Sequence, residues 1–151
     1  MAKCLQLRRG VEQAQNLFTG EQGELTMTTD TNELRIHNGT KVGGFRVPTL
    51  VAVQYPSAAN NYTWYRKYSD GWVEQGGVCS ISQDTATTVI LPVSMQNTTY
   101  HILITARKDG STQTSGDGNF TADPIDASSF YWRNGDDFTG YGYWEVKGLA
   151  A

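Results

Sequence analysis

Residues Gly23 to Thr40 hold two short alternating runs with a polar break between them. Leu25 and Met27 alternate with threonines, then Leu34 and Ile36 alternate with Arg35 and His37. A period of two places each apolar pair on one face of a strand, and Asp30-Thr31-Asn32 supplies the connecting turn. Asn38-Gly39 then closes the unit with a step suited to positive φ. Such a hairpin sits in a segment too small to fold alone. The expected outlet for its apolar face is another copy of itself, which makes Leu25, Met27, Leu34 and Ile36 candidate subunit-interface residues.

The composition changes near residue 50. Of the 17 aromatic residues only Phe18 and Phe45 precede Tyr55, and all four tryptophans follow it. The first fifty residues carry six basic and five acidic groups, the remainder six and ten. We read a first module over 1–50, a connector over 51–58 around Pro56 and Ser57-Ala58-Ala59, and a second domain over 59–151.

In the first module Leu5 and Leu7 suggest a short strand that Gly10 breaks. Val11, Ala14, Leu17 and Phe18 fall at helical spacing for two turns. After the hairpin, Phe45 and Val47 suggest one last strand. A unit of about 50 residues is marginal without metal, disulfide or partner chains. Cys4 and Cys79 are the only cysteines, with no Cys-x-x-Cys, so no disulfide framework and no zinc signature is expected. Oligomerisation remains.

The second domain reads as strands separated by turns. Trp64–Tyr68 and Trp72–Gln75 flank Ser69-Asp70-Gly71, a strong hairpin signal. Thr87–Val93 is expected to pair with Thr99–Ala106, and Phe130–Trp132 with Tyr141–Lys147. A polar loop, Ser111–Asn119, lies between. The fold class expected is all-β: a small β-prism or hairpin module followed by an antiparallel β-sandwich knob. Trp64, Trp72, Trp132 and Trp144 are expected to fill the core or a subunit seam.

Net charge is −3 with no basic cluster longer than a pair, which argues against nucleic-acid binding. No apolar run approaches the roughly 20 residues needed to cross a bilayer. The start lacks the apolar stretch of a signal peptide, so a chain made in the cytosol and remaining soluble is expected.

The run Leu5-Gln6-Leu7-Arg8-Arg9-Gly10, Gly23-Glu24-Leu25, Asp30-Thr31, Leu34-Arg35-Ile36, Asn38-Gly39-Thr40 and Gly43-Gly44 resembles the amino-terminal module of phage tail-fibre proteins, best known from the major tropism determinant. The resemblance implies an intertwined homotrimeric β-prism that begins a fibre or fits it to the virion. Trp64 to Gly77, Val89-Ile90-Leu91-Pro92, Phe130-Tyr131-Trp132 and Tyr143 to Gly148 resemble the carboxy-terminal knob of phage fibre proteins. This second resemblance implies a trimeric knob that contacts the bacterial surface. An extended shaft or collagen-like spacer, present in longer members, is lacking.

Chemistry finds little support. His37 and His101 are the only histidines, and no serine is placed with either to form a triad. Asp136-Asp137 and Asp123/Asp126 are paired carboxylates, but in turn-like sequence where aspartate serves the backbone. Asp109, Asp117 and Asn119 match no calcium loop. No enzyme activity, metal or cofactor is expected. Tyr141 and Tyr143, with Asn134, Asp136 and Asp137, are the candidate receptor contacts, because aromatic faces with polar edges suit sugars or protein. The reading is a homotrimeric phage fibre on the virion exterior, partnered by other virion proteins and by a bacterial surface glycan or protein. The alternatives are a head-fibre or capsid decoration protein without a receptor, and a small polysaccharide depolymerase.

Overall fold

The computed structural model describes residues 7–108 and 118–151. It divides into two compact units, Met1–Thr49 and Leu50–Ala151. In both, strands make up most of the regular secondary structure.

In the first unit, strands β1 (Arg8–Gly10), β2 (Leu25–Thr28), β3 (Leu34–Ile36) and β4 (Phe45–Val47) form one sheet in that order. β1 runs parallel to β2, and the other pairs are antiparallel. The hairpin forms as expected, with Leu25 opposite Ile36 and Met27 opposite Leu34. Asn32 at φ 55° turns it, and Gly39 at φ 81° follows. The first strand lies later than expected, and Leu5 falls outside the described residues. Helix α1 spans only Glu12–Gln15. The two-turn pattern fails because Leu17, 78% exposed, has no core to face. The Asp30 carboxylate caps α1 from a distance by accepting from the Glu12 N–H at 2.9 and 3.0 Å. That bond holds the Asp30 carboxyl below its ordinary range.

The interior of this unit is polar. Thr26, Thr28, Glu33, Arg35 and His37 are all buried. The Arg35 guanidinium donates to Gly43 O at 2.9 Å, and Arg46 bridges Glu12 and Glu33. His37 Nδ1 accepts from the Gly20 N–H at 3.1 Å, which leaves Nε2 to bond the Thr26 hydroxyl at 2.9 Å. A Cβ on Gly20 would stand 2.7 Å from the imidazole, so only glycine lets the chain pass.

The second unit pairs two antiparallel sheets. β5 (Leu50–Gln54), β6 (Trp64–Tyr68), β7 (Trp72–Ile81), β12 (Gly140–Leu149) and β9 (His101–Lys108) make a five-stranded sheet in that spatial order. β10 (Phe120–Asp126), β11 (Ser129–Asn134) and β8 (Thr85–Ile90) make a three-stranded one. The core lies between them, with Ile81, Val89, Phe130, Trp132, Trp144 and Val146 buried. Gln75, fully buried, clamps Val93 by donating to its carbonyl at 2.8 Å and accepting from its N–H at 2.9 Å. The Tyr100 hydroxyl is shared between the carbonyls of Ser129 at 2.7 Å and Asp126 at 3.1 Å. Burial, then the Asp126 charge, pushes its pKa up to about 12.

Three expectations need correction. The stretch 51–58 is not a connector throughout, because Leu50–Gln54 is the edge strand β5, paired with β6. β8 pairs with β11 rather than with β9. β12 pairs with β7 and β9 rather than with β11. The hairpin Trp64–Tyr68 to Trp72–Gln75 forms as expected, turned by Gly71 at φ 86°.

Candidate functional site

The register of the first sheet sorts its apolar side chains into two rows on one face. Leu25, Ile36 and Phe45 lie side by side, as do Met27, Leu34 and Val47. This is the face opposite the buried polar side chains. Leu25 is 39% exposed, Met27 36%, Ile36 44% and Phe45 46%, while Leu34 and Val47 are half-buried. Lys41 Nζ lies 4.1 Å from the Phe45 ring centre. The sheet is thus inverted relative to an ordinary half-buried one: hydrogen-bonded polar groups inside, oily side chains outside. A contiguous exposed apolar patch of this kind marks an interaction surface. All four sequence-derived interface residues share it, and Phe45 and Val47 extend it. The alternation around Arg46 was the signal for those two.

The candidate receptor contacts do not form one patch. Asn134 is 2% exposed, and its Nδ2 donates to Phe138 O at 2.7 Å and Ser82 O at 3.1 Å. Its Oδ1 accepts from the Asp136 N–H. Asp136, 6% exposed, accepts from the Gly118 and Asn119 N–H groups at 3.2 and 3.4 Å. Both side chains therefore hold the 134–139 turn and face inward, because a turn buried against the core must satisfy its own backbone. Asp137 is exposed. Tyr141 and Tyr143 lie on β12, inside the five-stranded sheet.

Both tyrosines point to the outer face of that sheet, since Gly142, Trp144 and Val146 between and beyond them are buried toward the core. Cross-strand register arranges this outer face in rows. One reads Arg66, Glu74, Lys147, His101; the next Trp64, Gly76, Glu145, Leu103; the next Val78, Tyr143, Thr105; the last Ser80, Tyr141, Arg107. Arg107 stacks over the Tyr141 ring at 5.5 Å. Trp132 and Trp144 are core residues as expected, whereas Trp72 is 40% exposed and Trp64 half-buried on this outer face.

The histidines and carboxylates named from the sequence are placed as follows among the described residues. His37 is buried among polar partners in the first unit, and His101 is exposed in the second. Asp123 pairs with Arg133 at 2.8 Å. Asp126 caps its own turn by accepting from the Ser128 N–H and hydroxyl and from the Ser129 hydroxyl, which lowers its pKa. Among the described residues no group of three or more His, Cys, Asp or Glu side chains is placed to hold a metal ion. Asp109, Asp117 and most of the Ser111–Asn119 loop lie outside the described residues. Burial raises the Cys79 thiol to about 11, which leaves it a poor nucleophile. No described helix is long and apolar enough to cross a membrane.

The hairpin that carries Leu25, Met27, Leu34 and Ile36 falls within a span of known type. Residues 5–41 match the family model of the Major tropism determinant N-terminal domain. The first unit is similar to that domain. No curated protein sequence matches this chain. Among solved structures, a C-terminal portion of the P. aeruginosa R2 pyocin fibre covers 68% of this chain and 25% of its own length, at 15% identity and a TM-score of 0.42. An N-truncated R2-type pyocin tail fibre covers 66% of this chain and 39% of its own length, at 16% identity and a TM-score of 0.45. This chain therefore spans 25% and 39% of the length of those two fibre chains.

Proposed function

We propose that this chain is a homotrimeric bacteriophage fibre protein, a component of the virion exterior that adheres to the bacterial surface through its second unit. The observation that carries this reading is the inverted sheet of the first unit. Leu25, Met27, Ile36 and Phe45 remain 36–46% exposed while Arg35 and His37 are 1–2% exposed. Water penalises such a face, and copies of the same chain covering one another remove the penalty. The similarity of residues 5–41 to the Major tropism determinant N-terminal domain supports the same reading. Trimeric display makes weak contacts effective, because three linked sites raise apparent affinity by roughly 10²–10⁴-fold where geometry permits.

The mode of action is adhesion without chemistry. Support comes from the carboxylates of Asp123, Asp126 and Asp136, which serve turns and an ion pair. Tyr141, Tyr143 and the exposed Asp137 remain the contact residues of this proposal, and Asn134 and Asp136 hold the turn that carries Asp137.

Light scattering of the purified protein tests assembly, and labelled protein on a panel of bacterial strains tests adhesion. A trimer that binds cells is expected, with Tyr141→Ala binding less at unchanged mass. A stable single chain at micromolar concentration removes the trimer. A trimer that binds no strain and decorates the capsid in virion micrographs removes the receptor role. Release of reducing ends from host polysaccharide would establish a depolymerase instead.

A further inference from the structure

We propose that the outer face of the five-stranded sheet carries a saccharide-binding groove centred on Trp64, taking a neutral oligosaccharide. This rests on the adhesive reading of the second unit and names the chemistry of its ligand. The groove has a volume of about 460 Å³ and is walled by Tyr62, Trp64, Val78, Leu103, Tyr143 and Glu145. On the other side of Trp64 a second groove of about 380 Å³ continues past Tyr55, Arg66 and Glu74. Trp64 and Glu145 border both. The cleft therefore runs across the sheet with an indole at its middle.

The backbone is arranged to present that indole. Trp64 stands directly opposite Gly76, and a Cβ at Gly76 would meet the indole Cε2 and Cζ2 at 2.8 Å. The ring lies down over the glycine, one face on the sheet and the other toward the cleft. Tyr62 is presented by a different device. Asn61 and Tyr62 are consecutive left-handed residues, at φ 52° and 56°. Asparagine tolerates that conformation, but a bulky aromatic there is uncommon and strained. Strain of this type concentrates where a side chain must be aimed. A bond from the Tyr62 N–H to Ser57 O at 2.8 Å holds the turn, and the tyrosine stays 56% exposed.

The chemistry of the lining selects the occupant. Pyranose rings carry C–H faces that pack on aromatic rings and hydroxyls that need acceptors. Trp64, Tyr62 and Tyr143 supply the rings, and the Glu145 carboxylate the acceptor. Of the residues lining the larger groove only Glu145 is charged, which disfavours an anionic sugar there. A second copy of the chain fits less well. The row Arg66, Glu74, Lys147, His101 crosses this face, and a dry seam would strip those groups of water. The first unit's apolar rows carry no such charge.

The test uses the 151-residue chain, labelled and applied to an array of neutral and uronate oligosaccharides, with light scattering and circular dichroism as controls. Neutral oligosaccharides are expected to bind and uronates not. Trp64→Ala should weaken binding about tenfold, and Trp72→Ala, on the same face but outside the groove, should not. Tyr62→Gly, which removes the ring and relieves the left-handed strain, should also weaken binding, and it decides the matter if Trp64→Ala misfolds. The proposal is overturned if no neutral oligosaccharide binds, if both groove variants bind undiminished, or if Trp64→Ala lowers the oligomeric mass, which would make the face a seam. Cells that still bind the protein when the array is blank would refute the groove and leave adhesion standing.

Discussion

Replacing Ile36 by aspartate separates the folding of the first unit from its assembly. Ile36 is 44% exposed on the apolar face, opposite Leu25 and Phe45, so a carboxylate there stays in water in a single chain. In the proposed trimer that face is covered. Full burial of an isoleucine is worth about 1.5–3 kcal/mol, and hiding the remaining exposed part about 1 kcal/mol per chain. Ile36→Ala should therefore weaken a trimer by roughly 3 kcal/mol in all. A tenfold change takes about 1.4 kcal/mol, so the assembly constant should fall by about a hundredfold. Aspartate adds the desolvation of an unpaired charge, several kcal/mol for each of three chains, which abolishes assembly at usable concentrations. Multi-angle light scattering reads the mass, and far-ultraviolet circular dichroism checks that strands persist. An Ile36→Asp protein that keeps the wild-type oligomeric mass would refute the argument, because the face would then not be the one covered.

Three further outcomes test the fold. Gly142→Ala should destabilise the second unit by about 1–3 kcal/mol in chemical denaturation. Its Cβ would stand 2.8 Å from Trp132 and 2.9 Å from Ile81, both buried in the core, and an unchanged midpoint contradicts this. Asp126 has its folded pKa below 3.8, so its contribution is complete above that value and fades as pH falls through the lower folded value. The stability difference between wild type and Asp126→Ala should be constant near neutrality and shrink in acid; a difference that grows in acid reverses the sign. With Cys4 replaced by serine, Cys79 should be alkylated about a hundredfold more slowly in the folded protein than in urea, since burial suppresses its thiolate. Equal rates would contradict the burial.

The hairpin was legible because it is local. Alternation at Leu25, Met27, Leu34 and Ile36 says that the two faces of the strands differ. It does not say which face turns inward. Threonine, arginine and histidine on the other side read as a solvent face, and their burial depends on Gly20, Gly43, Gly44 and Glu12, which lie elsewhere in the chain. Pairings in the second unit were not legible for the same reason. β7, β9 and β12 are similar alternating runs, and partner choice is decided by packing around Trp132 and Trp144. Strand β10 escaped notice because Pro124, Asp123 and Asp126 read as loop, yet an edge strand tolerates proline and charge. Asn134 and Asp136 look like exposed turn residues in sequence, and only the Gly118, Asn119, Ser82 and Phe138 partners show why they point inward. Trp64 gave no sequence hint of its outward face, since its companion Gly76 lies across the sheet.

Strand β12 stands between β7 and β9 although it follows both along the chain. During synthesis those two earlier strands therefore wait with open edges, each able to pair wrongly with a neighbouring nascent chain. Insertion of residues 140–149 is the last stitch that closes the sheet. A premature stop before Gly140 should yield not a smaller knob but sticky, unclosed halves.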